Sequence, residues 1–149
     1  ISYEYDACDV LKAEELYAIE SAGSFTKNEK SDIQSIVAGM IGFKGAVHVS
    51  FGTEMEYLSD DPDAIAASID SQILENYKLR DSNYLAFELW REKGMLPEHV
   101  SGTEISIPEI KQESRKIFLH RLDQVDPKLH RHYLLSYANP VIRRGQTSA

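Results

Sequence analysis

The sequence predicts an α/β chain: part of a parallel or mixed sheet, followed by a helical C-terminal extension. Three observations predict this. Strand patterns occur only in the first third, at 1–5 and 45–52. Helical patterns separate the two and follow the second, the order of a βαβ-type unit. From residue 61 onward, apolar residues recur at helical spacing alone. Two strands do not make a stable sheet, so the pattern predicts a share in a larger one. Residues 1–80 read as the α/β part, 81–139 as the helical extension and 140–149 as a flexible tail.

Each element has a local reason. Ile1 to Tyr5 alternates apolar and polar and is rich in tyrosine, which predicts a strand. Asp6 is positioned to cap a helix carrying Val10, Ala13, Leu16 and Tyr17, and Gly23 stops it. Thr26 with Glu29 forms a capping box for a second helix, whose predicted buried face is Ile33, Ile36, Val37 and Met40. Gly42 ends that helix. In Gly45–Gly52, Val47, Val49 and Phe51 point one way and Ala46, His48 and Ser50 the other. Asp61-Pro62 opens a third helix, with Ala66, Ile69, Ile73 and Tyr77 as its core stripe. Asp81 or Ser82 opens the next, with Leu85, Ala86, Leu89 and Trp90 inward, and Gly94 and Pro97 stop it. Ser106 and Glu109 form a second capping box ahead of Ile110, Ile117, Phe118 and Leu122. Asp126-Pro127 opens a last helix that runs to about Ala138.

Composition excludes several classes. The 149 residues are 42% hydrophobic and 27% charged, neither disordered nor collagenous. No apolar run approaches the ~18 residues of a membrane span. The chain starts at Ile1, without a secretion-signal pattern, which predicts a processed chain or a piece of a longer one. One cysteine, Cys8, excludes an intrachain disulfide and a cysteine-based zinc site. Residues 1–110 hold 8 Lys/Arg against 21 Asp/Glu, while 111–149 hold 8 against 3. The acidic body should repel nucleic acid and anionic lipid, so no nucleic-acid partner is expected. The basic end is expected to dock on the acidic body.

Chemistry-bearing residues are few. Gly42-Phe-Lys-Gly45 is a glycine-flanked turn with Lys44, better read as a helix stop than as a phosphate loop, since the pattern of such loops is missing. His48 sits mid-strand without a nucleophile motif. His120, His130 and His132 with Asp123 and Asp126 raise a metal site, but His130 and His132 fall on different sides of a helix. Asp60, Asp61 and Asp63 lack the spacing of a calcium loop and read as helix capping. Cys8 reads as a structural thiol. Tyr3, Tyr5 and Asp6, at the carboxyl end of the first strand, are the best placed for a substrate contact. Neither a metal nor a cofactor is expected.

Three segments in order resemble a family. Ile1-Ser-Tyr-Glu-Tyr-Asp-Ala-Cys-Asp9, Lys12-Ala-Glu-Glu-Leu-Tyr17 and Gly42-Phe-Lys-Gly-Ala-Val-His-Val-Ser-Phe-Gly52 look like the C-terminal part of bacterial 1-acyl-glycerol-3-phosphate acyltransferases, of the glycerolphosphate acyltransferase superfamily. Asp70 to Tyr77 and Asn83-Tyr-Leu-Ala86 extend the likeness to about residue 90. The resemblance implies the end of an acyltransferase α/β domain. It also implies transfer of an acyl group from acyl-CoA or acyl-carrier protein to a lysophospholipid. In that family a His-x4-Asp pair supplies the base and its orienting acid, and a Phe-Pro-Glu-Gly-Thr segment binds glycerol phosphate. Neither is present: five residues after the histidines stand Thr53, Glu104, Val125, Leu135 and Tyr137, and Leu96-Pro97-Glu98 leads into His99. No catalytic residue carries over, and the chain alone is expected to be inactive. The implied parent is a membrane-associated enzyme on the cytoplasmic side of the inner membrane. Lys111, Arg115, Lys116, Arg121, Arg143 and Arg144 are the candidate contacts to a membrane or partner, and Lys44 a weaker one to substrate. Exposed sheet edges predict a homo-oligomer. The alternatives are a non-catalytic helical protein-interaction domain, and a small enzyme using His48 or the late histidines.

Overall fold

The computed structural model describes residues 1–26, 29–55, 60–96 and 105–147. Their order is β1 (Ser2–Tyr3), α1 (Asp9–Ala22), α2 (Glu29–Ile41), β2 (Val47–His48), α3 (Pro62–Asn76), α4 (Asp81–Glu92), α5 (Gln112–Asp123), a 3-10 turn at Pro127–Leu129, and α6 (His130–Thr147). The strands form one antiparallel ribbon, with Ser2 opposite His48 and Tyr3 opposite Val47. The expected α/β class is thereby overturned: the described residues are mostly helical and carry no parallel or mixed sheet. Two helices of similar length, 14 and 13 residues, connect the strands. One crossover helix returns the chain parallel, but a second helix reverses it once more and brings β2 back antiparallel. The start of α1 meets α2 where the Cys8 thiol donates to the Ser35 carbonyl at 3.3 Å.

The ribbon turns at Gly45, whose φ is +61°. A Cβ there would lie 2.7 Å from Glu4 Oε2 and 2.8 Å from Tyr5 Cδ2, so only glycine fits. Beyond Val47–His48 the expected strand stops pairing, and Val49 and Phe51 stand exposed.

The core lies in the second half. Helices α4 and α6 pack along each other, α5 covers α4, and α1 lies across α6. Leu85, Ala86, Phe87 and Trp90 of α4 meet Phe118 and Leu122 of α5 and Tyr133, Leu134, Tyr137, Ala138 and Val141 of α6. Phe118 stands edge-on to Tyr137 at 5.3 Å between ring centres, a favoured aromatic geometry.

Four expectations are corrected by the fold. The Ser106–Glu109 capping box does not open α5, which begins at Gln112. Ile107 precedes Pro108, and a residue before proline is pushed out of the helical region. The flexible tail expected from residue 140 is instead helical to Thr147, with Pro140 inside the helix. Burial of Val141 and Ile142 holds it, and Arg144 Nη2 donates to the carbonyls of Leu74 at 2.9 Å and Tyr77 at 2.5 Å, beside the end of α3. The face of α2 expected to be buried is uncovered: Ile33, Ile36, Val37 and Met40 are all exposed, Met40 at 69%. On α3, Ala66, Ile69 and Ile73 are exposed as well. The Thr26–Glu29 capping box turns on the Glu29 side chain, which, like the stop at Pro97, lies outside what the structure describes.

Candidate functional site

A cleft of about 260 Å³ opens between β2 with its following segment and α3. His48 faces it because Ser2, its partner across the ribbon, shares that side. Ser50 follows at the strand period of two. Gln72 and Asn76, four residues apart on α3, form the opposite wall. Ile1, Met55, Ile69 and Ile73 supply its apolar lining. The polar groups are already joined to one another. Ser50 Oγ donates to Asn76 Oδ1 at 2.7 Å, and Asn76 Nδ2 donates to the Gln72 carbonyl at 2.9 Å. Ser50 therefore commits its proton to an amide oxygen rather than to His48, so the pair is not an activated nucleophile and base. The cleft sets apolar side chains beside amide and hydroxyl edges. His48 and Ser50 were legible as one strand face. Gln72 and Asn76 were not, because only the tertiary fold sets α3 against that strand.

Of the expected substrate-contact residues, Tyr5 and Lys44 adjoin, the Tyr5 amide donating to the Lys44 carbonyl at 3.0 Å, and each side chain is engaged differently. Tyr3 lies at the surface beside Val47. Tyr5 is buried, stacked on Phe43 at 5.5 Å and under the Arg121 guanidinium at 5.0 Å. Its burial, reinforced by the Glu4 charge, pushes the phenol up to about 12. Asp6 accepts from the Cys8 amide at 2.8 Å and pairs with Lys12 at 2.5 Å. It shapes the entry to α1, although Cys8 and not Asp6 is the residue at the cap. Lys44 Nζ donates to the Gly42 carbonyl at 3.1 Å, closing the C-terminal end of α2.

The basic candidates divide into two groups. Arg115 pairs with Glu88 at 2.7 Å, Arg121 with Asp9 at 2.8 Å, and Arg144 reaches the end of α3. Lys111, Lys116 and Arg143 are exposed. The basic end thus docks on the acidic body. Its centre is Asp9, 4% exposed, which accepts from Arg121 and from the Tyr137 hydroxyl at 2.7 Å. Burial of Arg121 would lower its pKa, but the Asp9 hydrogen bond and charge more than reverse this and raise it. Burial, with the Tyr133 and Asp9 charges, raises the Tyr137 phenol well beyond its usual range.

The late histidines do not converge. His132 Nε2 lies 2.8 Å from Glu20 on α1, and His130 Nε2 lies 3.0 Å from the Val125 carbonyl. Asp126 caps the 3-10 turn through the Lys128 amide, and Asp61 caps α3 through the Asp63 amide. Among the described residues, no group of three or more His, Cys, Asp or Glu side chains is placed to hold a metal ion.

Glu20 makes the α1–α6 contact sensitive to acid. The Arg131 hydrogen bond, and after it that of His132, holds its carboxyl below the usual value of 4.5. A lowered acid stabilises the fold above its unfolded pKa, and that contribution is lost as pH falls through the folded one. Urea midpoints measured from about pH 6 to about pH 2.5 should fall more steeply below 4.5 for the native chain than for Glu20→Gln, and parallel curves would contradict this.

Among the described residues, no helix is long and apolar enough to cross a membrane. Compared with protein-family profiles, curated proteins and solved structures, the chain shows no significant match.

Proposed function

We propose that the chain is a non-catalytic part of a phospholipid-biosynthesis acyltransferase, which covers and braces a catalytic body that carries the chemistry. One observation carries the reading. The Gly42–Gly52 segment, one of those that carry the resemblance, leaves four large apolar side chains uncovered: Phe43, Val47, Val49 and Phe51, the last 90% exposed. A stretch so apolar and so open is stabilised by burial against a further surface, at roughly 25 cal/mol for each Å² covered. The body it covers would hold the His-x4-Asp base and the glycerol-phosphate site, and would take its acyl group from acyl-CoA or acyl-carrier protein. Such an enzyme works at the cytoplasmic face of the inner membrane, on lysophosphatidic acid or a related glycerolipid.

A second reading, a non-catalytic helical protein-interaction domain, has its own support. The exposed stripe of α2, Ile33 to Met40, lies outside every segment of the resemblance and suits helix-on-helix docking.

The test is acyl transfer from a labelled acyl thioester to lysophosphatidic acid, by this chain and by the complete product of its reading frame. Activity in the complete product with none in the chain is the expected result. Inactivity of both would leave the interaction domain as the better account. Activity in the chain alone would overturn the non-catalytic assignment, and His48→Ala would be the next variant.

A further inference from the structure

The docking reading deepens at the cleft beside α3, where charge states what should cover it. From Gly45 to Tyr77 the chain holds seven acidic residues and no lysine or arginine. The same stretch exposes Val47, Val49, Phe51, Met55, Ile69 and Ile73. On α3, Ala66, Ile69 and Ile73 form one stripe at helical spacing, and Asp63 and Asp70 border it along one side. The cleft opens beside Ile69 and Ile73, a recess into which one apolar side chain of a partner can insert.

We propose that this face binds a protein surface with an apolar centre and a lysine- or arginine-rich rim. Two other occupants fit it less well. A second copy would set the same acidic borders against each other, and like charges across an interface oppose binding. An anionic bilayer would repel the carboxylates. The inference rests on the docking reading above and stands whether or not the covered body is an acyltransferase.

The test uses the whole chain and a synthetic amphipathic helix with leucines on one face and lysines along its borders. A twin peptide carries glutamate in place of each lysine. By fluorescence anisotropy, the lysine peptide should bind at least about tenfold tighter than its twin. The gap should narrow as salt rises from about 50 to about 300 mM, where screening shortens the reach of the charges. Ile69→Ser and Ile73→Ser should each weaken binding about tenfold, the cost of leaving an anchor unfilled. Both positions are exposed, so circular dichroism should show these variants folded. Asp63→Asn with Asp70→Asn should erase the preference for lysine while leaving the apolar contribution.

Equal binding of both peptides, binding of neither, or indifference to the two serine variants would overturn the proposal. So would self-association that Ile69→Ser abolishes, which would make a second copy the occupant. Capture by vesicles of anionic phospholipid more strongly than by the peptide would make it a lipid surface. Loss of peptide binding with acyl transfer intact in the complete product would remove this proposal alone. Peptide binding with an inactive complete product would remove only the acyltransferase reading.

Discussion

Replacing Arg121 with methionine is expected to destabilise the fold by about 3–5 kcal/mol, the range for breaking one partner of a buried pair. The reason is what remains. Asp9 is 4% exposed, and without the guanidinium its carboxylate stays buried with the Tyr137 hydroxyl and the Val10 amide as donors. Those hydrogen bonds keep it solvated in part but do not balance its charge. The loss should appear as a lower urea midpoint at unchanged slope. The double variant Asp9→Asn, Arg121→Met removes the charge as well as its partner and should recover a large share of the loss. A double variant as unstable as the sum of the two singles would show that the residues act independently, and the pairing argument would fall.

Trp90→Ala should cost a comparable amount, about 3–5 kcal/mol, through lost burial and the cavity left behind. Trp90 is 2% exposed within the shared core of α4, α5 and α6. Met40→Ala on α2 is the matched comparison. Methionine is also large and apolar, but this side chain is uncovered, so its removal should shift stability by no more than about 0.5 kcal/mol. Equal losses at the two positions would mean that the α2 face is covered in solution, for instance by another copy.

These two results follow from the way the chain divides its apolar residues. Apolar residues recur at helical spacing on α2, α3 and α4 alike, most sharply on α4. Periodicity says that a helix has a face to bury and nothing about whether a partner stands opposite it. For α4 the partner is α6, which the chain itself provides. For α2 and α3 the described residues leave the apolar stripes exposed. The basic end showed a similar ambiguity. Its charges were countable, but Arg115, Arg121 and Arg144 turn inward to Glu88, Asp9 and the end of α3, while Lys111, Lys116 and Arg143 remain at the surface.

What the sequence by itself determined is local. Asp61-Pro62 opened α3 and Gly23 ended α1, because caps and left-handed glycines act within one turn. Alternation placed His48 and Ser50 on one side of their strand for the same reason. What only the tertiary structure decided is pairing over distance. The antiparallel ribbon between residues 2–3 and 47–48, the wall that Gln72 and Asn76 make opposite His48, and the Asp9–Arg121–Tyr137 junction each join segments tens of residues apart. No local pattern encodes such a contact, since each forms only once packing of the whole core has set the segments side by side.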